Sequence, residues 1–278
     1  DDDDEEDECA MRVSACELLG ALMQHHADIF MAEVSQQCLP LAQQLVQPAV
    51  SQPDRKLGVF IVCDMLKYLG PRVTPHWPQF LPQVLEDVAN PATDIRQPAC
   101  YAVSLAATDP AFAPCAQAAA TRLGQVITES RSRGKKKSEK PAQACADNAL
   151  SGLVEILRNQ SAAVGAGAAQ LWSVWLKGLP CQEDTEEGQK NHQILLDMVA
   201  AQRPEVVGDG GANLPQVLLI FVEVYKTDMA TESTSKAVGK LVLQVGADRL
   251  EQCAASFKDQ QKRKLQRILR EAQQDAAA

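Results

Sequence analysis

The stretch His76–Ala107, HWPQFLPQVLEDVANPATDIRQPACYAVSLAA, limits the possible folds of this chain more than any other. Phe80, Leu81, Val84, Leu85 and Val88 recur at the three- and four-residue spacing of a helix with one apolar stripe. Pro78 and Pro82 stand near its start, where a missing N–H costs least. Asn90-Pro91 breaks the chain. Asp94 is then expected to cap a second helix running through Ile95, Ala99, Ala102, Val103 and Ala106. Two such helices joined by a tight polar turn form an antiparallel hairpin. A single hairpin leaves its apolar stripes in water, so units like it are expected on either side.

They recur. Leu39-Pro40 lies 42 residues before Leu81-Pro82, and Asp54 lies 40 residues before Asp94. In these two hairpins the first helix (A) carries an early proline and the second (B) opens on an aspartate. The same reading pairs 113–128 with 142–158, 166–179 with 184–201, 214–226 with 231–245, and 248–257 with 259–272. A leading helix covers 9–30. The result is about six hairpins over residues 9–278, with a basic insertion at 129–141 and an acidic, flexible segment at 1–8. A period near 40 is that of HEAT repeats, whereas tetratricopeptide and ankyrin repeats run to about 33–34 residues. The expected fold is all-α: a HEAT-repeat α-solenoid, a right-handed superhelix with A helices outside and B helices lining a concave face.

Composition agrees. Aromatic residues make up only 4% of the chain against 46% hydrophobic, which suits closely packed helices better than a β-sandwich. No apolar run of about 18 residues is present, so no membrane span is expected. The chain opens on DDDDEEDE without a methionine and reads as part of something longer. Nine cysteines at irregular spacing, with no CxxC, read as buried reduced thiols of a cytosolic or nuclear protein. Of the net charge of −9, residues 1–8 carry −8, while 131–140 and 258–270 each carry +5, so the remaining residues sum to −11. An acidic body suits basic partners and argues against direct nucleic-acid binding.

Four stretches, PDRKLGVFIVCDMLKYLGP (53–71), His76–Ala107, LWSVWLKGLPCQEDTEEG (171–188) and QILLDMVAAQRPEVVGDGGANLPQ (193–216), resemble the C-terminal HEAT repeats of karyopherin-β nuclear transport receptors, in particular the importin beta-three (importin-five) type. The resemblance implies a receptor that shuttles between cytoplasm and nucleus. It would bind basic cargo bearing localisation signals, release it to Ran-GTP, and pass the pore on the Phe-Gly repeats of nucleoporins. The main Ran-binding repeats of that family lie towards the N-terminal end, outside this chain. Two positions depart from the family. Pro98 stands early in its B helix, where a tilt or a short 3₁₀ turn is expected. Gln193 stands where the family often carries asparagine.

Cargo contacts are expected on B helices. Asp147, Ser151 and Glu155 recur at i, i+4 and i+8, opposite Leu150, Val154 and Leu157. On a solenoid this face is concave, its carboxylates suited to lysine or arginine and Asn148 to an extended backbone. Asp64, Gln97, Tyr101, Glu187 and Asp197 follow by the same logic. Trp172 and Trp175 read as packing, or alternatively as a groove for Phe-Gly repeats. RSRGKKKSEK reads as a flexible loop, with a localisation signal or a self-contact to the acidic segment as alternatives. The four histidines lack metal-ligand spacing. Val207–Asn213 lacks the phosphate-cradling patterns. No nucleophile constellation stands out, so neither catalysis nor a cofactor is expected. The competing expectation is a HEAT scaffold that holds an assembly together without transporting anything.

Overall fold

The computed structural model describes residues 2–133 and 137–277, and among them every regular element is helical. The principal helices are α1 (Asp2–His25), α2 (Ser35–Leu45), α3 (Gln52–Asp64), α4 (Trp77–Asp87), α5 (Thr93–Ala106), α6 (Ala113–Ser132), α7 (Lys140–Asn159), α8 (Ala168–Gly178), α9 (Thr185–Ala200), α10 (Leu214–Val224), α11 (Glu232–Val245), α12 (Ala247–Cys253) and α13 (Asp259–Ala277). α1, α3, α5, α7, α9, α11 and α13 pack consecutively, each on the next. A second row runs α2–α4 and α6–α8–α10–α12, and Arg122 of α6 joins it to α4 by donating to the Leu85 carbonyl and Glu86. The core is one continuous layer between the rows, anchored by Phe30, Phe80, Phe112, Leu123, Leu150, Trp175 and Phe221.

Polar links tie each hairpin to the next at nearly one interval. Gln52 donates to Asp94, 42 residues on. Asn148 donates to Asp184, 36 residues on. Asn191 donates to Ser151 across 40 residues, and Thr234 to Gln193 across 41. Lys226 reaches Glu271 across 45. The accessible surface, 14353 Å², exceeds the roughly 11,700 Å² expected of a compact monomer of 30.1 kDa.

Small residues let α5 and α7 pack closely. Ala99, Ala102 and Ala106 lie buried on one helix, Ala146 and Ala149 on the other. A Cβ on Gly152 would stand 3.0 Å from Leu123 and 3.2 Å from the Cys100 carbonyl.

Four expectations are corrected. The backbone of residues 2–8, expected to stand apart from the leading helix, forms the first turns of α1. The basic insertion shrinks, because α6 runs to Ser132 and α7 starts at Lys140. Residues 134–136 of RSRGKKKSEK lie outside the described residues. Asp94 does not cap its helix. The cap position is Ala92, and Asp94, inside the first turn, accepts from Gln52 at 2.9 Å. Pro98 produces no 3₁₀ turn: α5 stays α-helical through it, with the proline ring buried.

Candidate functional site

α7 supplies most of the sequence-predicted site, and the structure places that part inside the fold. Asp147 is 0% exposed. Its carboxylate accepts from three successive backbone N–H groups, those of Gln182 (2.9 Å), Glu183 (2.8 Å) and Asp184 (3.0 Å). The Arg131 guanidinium closes the ring at 2.6 Å. Arg131 also donates to the Gly178 carbonyl at 2.8 Å and to Gln143 at 2.5 Å. The segment Leu179–Asp184 is thereby strapped across the polar face of α7. A buried charge needs such partners, since an unpaired carboxylate in the interior costs several kcal/mol.

The rest of the stripe is consumed in the same way. Asn148 donates to the Ala144 carbonyl (3.0 Å) and to Asp184 (2.9 Å). Asp184 in turn caps α9 by accepting from the Glu187 N–H at 3.2 Å. The Ser151 hydroxyl donates to Glu187 and accepts from Asn191 at 2.6 Å. Asn191 also accepts from the Trp175 indole at 3.0 Å. Glu155 pairs with Lys190 at 3.2 Å and accepts from Asn159 at 3.0 Å. Burial pushes the Glu187 carboxyl above its ordinary range, against the opposing pull of Ser151 and Lys190.

Asp147, Asn148, Ser151, Glu155 and Glu187 are therefore corrected as cargo contacts. They are the buried seam between α7 and α9. The stripe spacing locates one face but does not say whether water or a neighbouring helix covers it.

The other four candidates reach the surface. Gln97 is half-buried and donates to Asp184 at 3.4 Å. Tyr101 is half-buried and its hydroxyl bonds the Lys67 ammonium; burial raises its pKa more than Lys67 lowers it. Asp64 packs against Gly20 of α1, and burial raises its carboxyl too, opposed by Lys67. Lys67 thus stands between Asp64 and Tyr101. Asp197 is exposed, accepts from Gln193 at 2.8 Å, and lies apart from them on α9. It borders a cavity of about 470 Å³ with Trp172, Arg158 and Arg203.

Trp172 and Trp175 pack edge to face, with centroids 5.6 Å apart, and both are buried. Their packing reading holds.

Arg131, Asp184 and Asn191 are working residues that sequence reasoning missed. Arg131 was assigned to a loop by its basic neighbours. Asp184 carried a signal, because Asp184-Thr-Glu-Glu187 has the spacing of a capping box.

What this cluster does chemically is hold two helices and a strap in fixed register. The eight described cysteines are free, and burial raises the pKa of each, which disfavours the thiolate. Among the described residues no group of three or more His, Cys, Asp or Glu is placed to hold a metal ion. None of the described helices is long and apolar enough to cross a membrane. No protein-family model matches the chain.

Proposed function

We propose that this chain is a HEAT-type α-solenoid and forms the cargo-binding C-terminal part of a karyopherin-β nuclear import receptor. The observation that carries the solenoid is the recurrence of helix-to-helix polar links at 36 to 45 residues. Such links are what a stack of equivalent hairpins requires, and the excess of accessible surface favours an elongated stack. The four stretches that resemble the karyopherins support transport. They supply α3, α4–α5, the α8–strap corner and α9. Basic cargo then meets Asp64 beside Tyr101 and Gln97, and separately the exposed carboxylates Glu186 and Asp197 of α9. Ran-GTP and nucleoporin Phe-Gly repeats complete the partner set, with Ran held mainly by repeats outside this chain.

A second reading, a HEAT scaffold without transport activity, is favoured by one observation: the densest polar stripe is spent on internal bonds. The two readings separate in a pull-down of the complete receptor with Ran-GTP and a basic localisation peptide. Transport predicts that Ran-GTP binds and releases the peptide, and that Asp64→Lys with Asp197→Lys weakens peptide binding. If Ran-GTP neither binds nor displaces cargo, the scaffold reading replaces it.

A further inference from the structure

The last hairpin carries a surface that neither reading uses. A groove of about 520 Å³ runs between α12 and α13, with Leu250, Ala254, Leu265 and Leu269 as its apolar lining. Lys262 and Gln266 border it on the α13 side and Glu251 on the α12 side.

The cations of α13 divide into two sets. Lys264 donates to the Glu223 carbonyl at 2.9 Å, and Arg267 pairs with Glu271 at 2.7 Å, so both are used within the fold. Lys262, Arg263 and Arg270 make no side-chain hydrogen bond or ion pair among the described residues. Lys262 lines the groove, and Arg263 and Arg270, seven residues apart, stand together on the exposed flank of α13 beside it. The groove therefore has an apolar floor with Lys262 and Glu251 on its two sides, and the exposed flank beside it adds Arg263 and Arg270 against one further carboxylate, Asp259.

We propose that this groove docks an acidic amphipathic helix of a partner protein. The apolar lining takes one face of that helix, at i, i+3/i+4 and i+7. Lys262, Arg263 and Arg270 pair with carboxylates on its flank. From Lys262 to Leu269, α13 offers about two turns, roughly 10 Å at 1.5 Å per residue. A bilayer fits the surface less well. Ile268 and Ala272 of α13 are buried inside the fold, and the apolar surface left free lies in the concave groove. The inference stands on this geometry and is independent of the transport reading.

The test uses the whole chain and a labelled synthetic helix of four turns, leucine on one face and glutamate elsewhere, read by fluorescence anisotropy. Saturable binding is expected, weakening as salt rises from about 50 to about 200 mM. The pair Arg263→Glu and Arg270→Glu should weaken it at least about tenfold. Ala255→Trp, which narrows the groove from an exposed position, should do the same with unchanged circular dichroism. Any of four results overturns the proposal: equal binding of a lysine version of the peptide; undiminished binding by both variants; capture of phosphatidylserine vesicles or duplex DNA by these cations without capture of the peptide; or self-association of the chain through these residues that the peptide does not compete away.

Discussion

Replacing Asp147 by alanine separates a buried seam from a cargo site. The change leaves the Arg131 guanidinium, whose side chain is 13% exposed, without its carboxylate. It also strips an acceptor from three backbone N–H groups. Breaking a buried ion pair from one side costs about 3–5 kcal/mol. Gln182, Glu183 and Asp184 are only half-buried, so water recovers part of the backbone loss, and the total should stay near that range. At about 2.1 cal/mol/K per residue, cooperative melting of the chain converts this to a fall in Tm of about 5–9 °C. The fall is larger if the central hairpins melt alone. Calorimetry reads the global effect, and hydrogen exchange at the amides of Gln182, Glu183 and Asp184 reads the local one. The double variant with Arg131→Ala should cost less than the two single changes added together, because it leaves no orphaned charge. A Tm change under about 1 °C with unaltered exchange at the strap would refute the seam, and loss of basic-peptide binding in that same stable variant would restore the cargo reading.

Three further outcomes follow from the same structure. Gly58→Ala should cost about 1–3 kcal/mol in chemical denaturation, because its Cβ would stand 2.8 Å from the Leu45 backbone, which cannot yield as a side chain can; a neutral result would contradict the closeness of α2 and α3. His192 accepts from the Cys181 N–H at 3.3 Å and faces the Met229 carbonyl at 2.8 Å, and burial holds its pKa below the ordinary value. Its contribution is present above the unfolded imidazole pKa of about 6.5 and is lost as pH falls below it. Tm should therefore drop between about pH 7 and pH 5, and His192→Gln should flatten that slope; an unchanged slope places the titration elsewhere. Finally, a thiol reagent on the native protein should reach half-buried Cys16 and Cys115 before Cys63, Cys100 and Cys181, as peptide mass spectrometry would show; early labelling of Cys181 would mean that the strap is open.

The fold was largely legible because helix periodicity and punctuation are local signals. Pro78 and the break at Asn90-Pro91 report on their own turns and the structure keeps the hairpin they mark, whereas Pro40 and Pro82, expected early in their helices, stand inside α2 and α4. The site was less legible, because burial is a relation between distant segments. Asp147, Ser151 and Glu155 do share one face, but the sequence of α7 alone cannot show that residues 179–187 fold back over it. Arg131 was misread for the same reason: its neighbours at 133–140 look like a loop, while its partner lies sixteen positions on, inside the next helix. Pro98 shows the converse. A local rule predicted a tilt or a short 3₁₀ turn, and α5 runs on as α-helix past the proline, which itself has no N–H to donate.

The claim on which the rest depends is that the hairpins stack as an open array, each touching only its neighbours. Small-angle X-ray scattering of the chain tests it directly. A compact globule of 278 residues has a radius of gyration of about 19 Å. The stacked array predicts a clearly larger value and a pair-distance distribution with a long tail. A value near 19 Å with a symmetric distribution would contradict it.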